Sequence, residues 1–592
     1  MRRLAIFFLF YAAASLSYAQ SGSALESAVF LMGASSPEDA DAEMLEHVMS
    51  FLDRPLKLNC ASVEAMTASG LLTLYQALSL TDYRERHGEV LSLTELAAID
   101  GFGPVYAGHL KPFISLETMA YSHGDDRFSC DVAAREGTKL SEDERWSYGM
   151  KVRTRYGERL SAAFAASSAY KNTTGWPDQY AACISYRFRS LPVRILAGDF
   201  NARFGQGLAL WNGMSMSGVS TPESFMRNPG GISETWSFSG SSALTGIAAD
   251  MTLKRLKVSA FLASPGVKEG FSSLMPAVNL SFRGRALQSG ITHYCRSSPK
   301  GLVQGMKTSA DFAACIRGTD VFAEMAYDWV NRVAAGVTGV IFPLGNDVKA
   351  AAMVRCYPEV YDSEWCGAVR SRTKCSNEHS ATAGCSFRAG RSIRKAGAEG
   401  FGADVRRHTG VFSIDAACLP SSLSPERGSI QAKLCADWTC MVSGHIQLRT
   451  KVTERLRTWD KTLRSDIRAD VTWFSSRFTL SSRINAVKCM NTSAMAYVEA
   501  MYRVKGLSVY LRQGIFMADE WEDRIYVYER DAAGSFNVPA LYGRGVWTSF
   551  YGSWRFSSRS RLDLRASFTD YPLMKNRKPG KAELKVQYAM SF

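Results

Sequence analysis

ELKVQYAMSF, residues 583–592, alternates without a break. Leu584, Val586, Tyr588, Met590 and Phe592 fall on one side, and Lys585, Gln587, Ala589 and Ser591 on the other. A period of two is the signature of an extended strand with one apolar and one polar face. The same alternation runs through RLDLRASF (561–568), DIRADVTW (466–473) and RFTLSSRINAV (477–487). It is the dominant texture from about Trp146 to the end. In a soluble sandwich the apolar faces meet in a core; in a membrane barrel they meet lipid and the polar faces line a lumen.

The other end of the chain favours the barrel. MRRLAIFFLFYAAASLSYAQ places Arg2 and Arg3 before an apolar run and ends that run in small residues. This is a secretory signal peptide over residues 1–19, cleaved after Ala19, with no following Cys for a lipid anchor. Beyond Ala19 no stretch approaches 18 consecutive apolar residues, so a membrane-spanning chain must close its backbone hydrogen bonds between strands. The expected fold is mainly β: a transmembrane antiparallel β-barrel of roughly 16–22 strands, even in number, with a small N-terminal all-α domain. Phe592, last on an alternating strand, resembles the terminal signal of outer-membrane barrels. The expected location is the bacterial outer membrane, with the N-terminal module in the periplasm. Outer-membrane lipid and lipopolysaccharide are then the surrounding partners.

Charge divides the chain near residue 120. Residues 20–120 hold fourteen acidic and five basic side chains, a net of −9. Residues 121–592 carry +21, within a whole-chain charge of +14. Such asymmetry marks two modules with different surroundings. The expected division is an acidic leader with a helix near residues 42–52 (20–52), a helical module (53–116), a linker (117–144) and the barrel (145–592). In the module, Ser62 caps a short helix, and Ser92 with Glu95 forms a capping box. Gly101 then ends one helix and Pro104 sits just inside the next.

LNCASVEAM, YRERHG and ELAAIDGFGPVYAGHL together resemble a helix-hairpin-helix domain of the competence DNA receptor type, over about 60 residues. The second hairpin is Gly101-Phe102-Gly103; the first is degenerate, with only Gly70 in SGLLTLYQAL. The whole chain resembles outer-membrane proteins of Bacteroidota-type bacteria that join this module to a large barrel, through AGDFNARFGQGLALW (197–211) and RIYVYERD (524–531). The resemblance implies architecture and carries no settled activity. It also implies DNA-contacting positions: Gly101, Phe102, Gly103 and Pro104, whose backbone N–H groups and helix terminus would face a phosphate, with Lys111 near by. Charge opposes this. Asp100 precedes the turn, Val105 and Tyr106 follow it, and residues 53–116 carry a net of −2 where a nucleic-acid module shows a basic patch.

No catalytic residues are expected. There are eight His, and no H-E-x-x-H, G-x-S-x-G or P-loop pattern. No metal or cofactor is expected. Asp199, in the motif-like stretch, reads as a strand end beside glycines that ease a turn. The thirteen Cys show no CxxC spacing. Most read as small apolar strand residues, with loop disulfides such as Cys356 with Cys366 or Cys435 with Cys440 left open. The long segments 205–234, 374–380 and 536–543 read as outward loops.

Arg468, Arg483, Arg512, Arg565 and Lys585 lie on polar strand faces and so line the lumen. Either they present cations to an anion, or they pair with acids such as Asp466, Asp470 and Asp563. Two functions follow. The first is a non-enzymatic outer-membrane barrel whose periplasmic acidic module docks an unknown periplasmic protein or its own barrel mouth. The second is a DNA-uptake component whose hairpin catches a strand passed by a basic lumen.

Overall fold

The computed structural model describes residues 21–117, 128–140, 144–157, 159–171, 177–213, 219–238, 243–265, 273–345, 347–396, 404–421, 429–532, 534–557, 559–574 and 579–592. Residues 1–19, read above as a signal peptide, lie outside them.

The β region is a closed antiparallel barrel of 24 strands, from Phe128–Leu140 to Lys581–Ser591. The last strand closes on the first, with Leu584 opposite Thr138 and Tyr588 opposite Ala134. Sequence alternation maps directly onto the wall. Leu584, Val586 and Tyr588 are exposed on the outside, while Gln587 is buried inside. Ile184, Ile247, Ile291, Met325, Val354, Ile467 and Leu511 extend the outward apolar belt around the barrel. A continuous belt of this kind is a lipid-facing surface.

The strand number exceeds the range expected from sequence for two reasons. Phe128–Leu140, within the stretch read as linker, is the first barrel strand. Strands such as Leu160–Ser167 (LSAAFAAS) are built of small residues and carry little apolar–polar contrast. One end of the barrel carries short turns, several with a basic residue at positive φ: Lys254, Arg317 and Lys505. The other end carries the long connections, residues 204–243, 358–377 and 519–542.

Gly198 marks a tight place in the wall. Its φ is +107°, and a Cβ there would lie 2.1 Å from the Ala182 carbonyl oxygen. Gly198→Ala therefore combines backbone strain with a main-chain clash and is expected to cost ~3 kcal/mol or more. The check is barrel resistance to detergent unfolding on heating, which falls in the variant.

The N-terminal region is α-helical. Its helices are α1 (Ser21–Leu31), α2 (Ala42–Ser50), α3 (Val63–Ala68), α4 (Leu74–His87), α5 (Leu93–Ala98) and α6 (Gly103–Leu110). α1 falls in the acidic leader, ahead of the one helix expected there near residues 42–52. Ser62 accepts from Ala65 N at 3.2 Å and Ser92 from Glu95 N at 3.1 Å, as capping residues do. Glu95 does not complete the box: its carboxylate takes Leu91 N at 2.8 Å and the Tyr83 hydroxyl at 2.7 Å. Leu58, Met66, Leu71, Leu80, Leu96 and Phe113 form the core of this module. Tyr528 and Phe536, from the 519–542 connection, pack against the same core.

All thirteen cysteines are free. Cys356 faces outward on the wall, whereas Cys366 lies inside against Lys307 at 3.6 Å, so the wall separates them. Cys435 and Cys440 share the extended strand Ile430–Met441. Five residues of strand span about 17 Å, far beyond disulfide reach.

Candidate functional site: an acidic module seated in a basic lumen

The lumen wall is made of alternate strand residues, and many are cationic. The acidic N-terminal region meets them at every level. At mid-depth, Glu38 on the short 3-10 turn Pro37–Asp39 lies 2.7 Å from Arg483 and 3.3 Å from Arg468. Tyr528 N also donates to it, at 3.2 Å. Asp39 pairs with Lys451, and Glu46 lies 2.9 Å from Lys151 and from the Ser237 hydroxyl.

Toward the short-turn mouth the pairing continues. Asp53 lies 2.7 Å from Arg555 and 2.8 Å from Arg561. Glu64 lies 3.2 Å from Arg283, and Glu26 lies 3.1 Å from Lys395. Arg285 takes both Asp82, at 3.0 Å, and Asp100. Arg54 reverses the pattern, meeting Asp131 at 2.9 Å and donating to the Phe592 carbonyl at 3.1 Å. A cavity of about 4320 Å³ remains between the helices and the wall, too large for a single small-molecule pocket.

Glu38 and Asp39 are held charged by these partners. Burial works to raise the Glu38 carboxyl, but Arg468 and Arg483 override it and hold it well below the usual carboxylate range. Asp39 is likewise held low, chiefly by Lys451 and Lys433 against the opposing effect of burial. Two histidines behave oppositely. Burial, then Arg153, lowers His47 to about 4, although the Ala68 carbonyl opposes the shift. Burial lowers His109 to about 4, with Glu26 opposing and Lys395 assisting.

A depressed histidine gives a pH dependence of definite sign. Both imidazoles are neutral in the seated module and return toward 6.5 when released. Their contribution is complete above pH 6.5 and is lost as pH falls toward 4, about tenfold per pH unit for each histidine. The Glu38 and Asp39 carboxylates stay charged across that window. Thermal stability of the seated module should therefore fall between pH 6.5 and 4, and His47→Gln should flatten part of the slope.

The segments expected to project outward, 205–234, 374–380 and 536–543, belong to connections whose described residues turn into the lumen instead. Glu324 on the wall strand Thr319–Asp328 is 2% exposed and accepts from the backbone N–H groups of Gln206 (2.7 Å), Leu208 (3.0 Å) and Ala209 (3.4 Å). Gly205 and Gly207 have φ of 57° and 89°, which turns these N–H groups toward one carboxylate. The second connection clamps the same turn: Gly367 N donates to the Gly207 carbonyl at 2.9 Å, and the Tyr361 hydroxyl donates to the Leu208 carbonyl at 2.9 Å. The third is latched by Asp523, fully buried, which accepts from Cys489 N, Met490 N and Asn491 N at 2.8–3.0 Å. The connection 204–243 also reaches the leader, where the Thr221 hydroxyl donates to the Gly33 carbonyl at 2.7 Å.

The five strand cations singled out in the sequence, Arg468, Arg483, Arg512, Arg565 and Lys585, are each paired with an acid. Arg468 and Arg483 share Glu38 and Asp470; Arg512 lies 2.6 Å from Glu499; Arg565 lies 2.8 Å from Glu529; Lys585 lies 2.5 Å from Asp531. Of the acids anticipated, Asp470 serves in this way and Asp563 lies 3.1 Å from Arg561. Glu529 and Asp531, which the sequence had not singled out, come from the inward 519–542 connection. Asp199 is a buried strand residue accepting from Ala182 N at 2.8 Å and Thr245 Oγ1 at 2.5 Å.

Two hairpin residues are engaged within the module, where Phe102 N also donates to the Ile99 carbonyl at 3.2 Å. The Gly101 carbonyl accepts from Gln76 Nε2 at 2.7 Å, and Phe102 is buried in the module core. Gly103 begins α6 with Pro104 in its first turn, and Lys111 follows the helix. Arg285, the wall cation at this turn, is taken by Asp82 and Asp100. Among the described residues no group of three His, Cys, Asp or Glu side chains is arranged for a metal, and no helix is long and apolar enough to cross a membrane.

No family model matches the chain. No curated protein matches it either. Among solved structures it is similar to the P pilus usher (PapC) translocation pore, at 7% identity over 78% of this chain and 99% of that one, with a TM-score of 0.40. The copper transporter OprC matches at 8% identity over 78% and 80% of the two chains, TM-score 0.38. Pseudomonas aeruginosa OccK3 (OpdO) matches at 8% identity over 80% and 99%, TM-score 0.27. These likenesses are too low to carry a functional argument, and the account below rests on the geometry.

Proposed function

We propose that this chain is a non-enzymatic, gated outer-membrane barrel whose own acidic N-terminal module, on the periplasmic side, is the plug. The observation that carries the reading is the set of ion pairs from Glu26, Glu38, Asp39, Glu46, Asp53, Glu64, Asp82 and Asp100 to cations of the wall. Barrels of 16–18 strands already enclose an aqueous channel, so a 24-strand lumen conducts unless filled. The inward connections lie along the wall; the module occupies the space they leave, apart from a cavity of about 4320 Å³ between its helices and the wall.

A plug held by many charge pairs, several of them partly exposed, can be withdrawn. Each exposed pair contributes little alone and is weakened by salt. A periplasmic protein that binds the module and competes for these acids would open the pore. DNA uptake is the weaker reading, because the wall cation beside the hairpin is already committed to Asp82 and Asp100. The test is ion conductance in planar bilayers of the mature chain against one lacking residues 20–117. The truncated barrel should conduct steadily and the intact chain only in rare openings. Equal conductance of the two would refute the reading.

A further inference from the structure

Glu38 occupies a site that the barrel builds without it. Asp470 bridges the two neighbouring arginines through their Nε atoms, at 2.6 Å from Arg468 and 2.6 Å from Arg483. Arg468 and Asp470 are two apart on one strand, and Arg483 is the cross-strand neighbour of Asp470. This buttress belongs wholly to the wall. It fixes both guanidinium groups and leaves the Nη1 atom of each to Glu38, at 3.3 and 2.7 Å. Two arginines against one aspartate leave one positive charge over. The side chains of Arg468 and Arg483 are only 10% and 11% exposed with Glu38 in place. A cation so placed needs an anion.

The same arithmetic recurs near by. Arg449 is matched by Asp437 at 2.5 Å, while Lys451 on the same strand makes its ion pair with Asp39 of the module. The wall is thus short of negative charge at the positions where the leader supplies it.

We propose that the Arg468–Arg483 fork is an oxyanion-binding site of the open lumen, that its ligand is a small carboxylate, and that Glu38 closes the pore by occupying the site as a built-in mimic of that ligand. This rests on the plug reading above and adds to it the chemistry of the permeant. Each Glu38 oxygen takes one Nη1, so the pair of fixed guanidinium groups matches the two oxygens of a carboxylate by geometry as well as charge. Glu38 and a soluble carboxylate exclude each other, so anion on the far side of the plug favours the open state by mass action.

The test is chemical rescue in the full chain. Glu38→Ala removes the mimic and leaves a carboxylate-sized space at the fork. Acetate, the probe, should bind there and raise the variant's melting temperature by several degrees over equimolar chloride, saturating with concentration. Glu38→Ala combined with Arg468→Gln and Arg483→Gln should show no response above chloride. Inorganic phosphate in place of acetate reads the selectivity: a stronger response than acetate would overturn the carboxylate assignment. No acetate-specific response in Glu38→Ala, or an equal response without the arginines, would overturn the site. Glu38→Gln, which keeps the volume and cannot mimic an anion, guards against misfolding: acetate should displace it and raise open probability over equimolar chloride in an Arg483-dependent way, and an acetate-insensitive current would also overturn the site. If truncation of residues 20–117 opens the pore while these responses are absent, the plug reading stands and the ligand site falls.

Discussion

Glu38→Arg should expel the leader from the lumen. The substitution sets a third guanidinium beside Arg468 and Arg483, which now share the Glu38 carboxylate at 3.3 and 2.7 Å. Breaking a buried pair by losing one partner costs about 3–5 kcal/mol, and reversing the charge adds repulsion. At about 1.4 kcal/mol per factor of ten, that cost alone shifts the balance of seated and released module by a hundredfold or more. The readout is open probability in bilayers, which should rise by at least that factor from a low baseline. Arg483→Glu added to Glu38→Arg restores an opposite-charge contact and should recover part of the closure. An effect confined to expression level, with normal gating of the surviving protein, would argue that the pair serves folding only.

Glu324→Leu should release the inward connection 204–213 while leaving the barrel intact. Three backbone N–H groups would lose their acceptor in a site where Glu324 is 2% exposed. Each unsatisfied buried donor costs ~1–3 kcal/mol, so the turn loses ~3 kcal/mol or more. That is a large share of the stability of one local segment. Gly205→Ala should act in the same direction by another route, since φ is 57° there and a Cβ would stand 2.9 Å from the Glu324 carboxyl carbon. Limited proteolysis is the readout: new cleavage within residues 204–213, with the barrel still resistant. Glu324→Gln, which keeps one acceptor oxygen, should give an intermediate result.

Much of the barrel was legible in the chain because strand alternation is a local signal. The stretch 583–592 already assigns Leu584, Val586 and Tyr588 to lipid and Lys585 and Gln587 to the lumen, as found. The signal fails where residues are small, as in LSAAFAAS, and the expected strand number is low for that reason and because Phe128–Leu140 reads as linker. The charge contrast between the two halves was equally plain, and the listing of lumen cations from polar strand faces was possible residue by residue. Which acid meets which cation was not. Glu38 and Arg483 are 445 residues apart, and Gln206 and Glu324 are 118 apart. Pairings at such separation depend on how the closed barrel brings strands round to face one another. Only GQG in residues 205–207 hinted at the latch, as two glycines able to aim backbone N–H groups at one point.

The two closures differ in physical kind. The module is held by side-chain ion pairs, several at the mouth and partly open to solvent, such as Asp53 with Arg555. The wall connections are held by buried carboxylates on backbone N–H groups. Salt screens the exposed pairs and leaves the buried latches nearly untouched. Raising ionic strength should loosen the module before it loosens the connections.

The central claim is that the acidic module sits inside its own barrel in the membrane. A water-soluble carbodiimide joins a carboxylate to an amine with no spacer, so it couples only groups already in contact. Applied to membranes holding the intact chain, it should yield peptides joining Glu46 to Lys151 and Glu26 to Lys395, whose atoms lie 2.9 and 3.1 Å apart. Recovery of those carboxylates linked only to added external amine, with no bond to the wall lysines, would contradict the account.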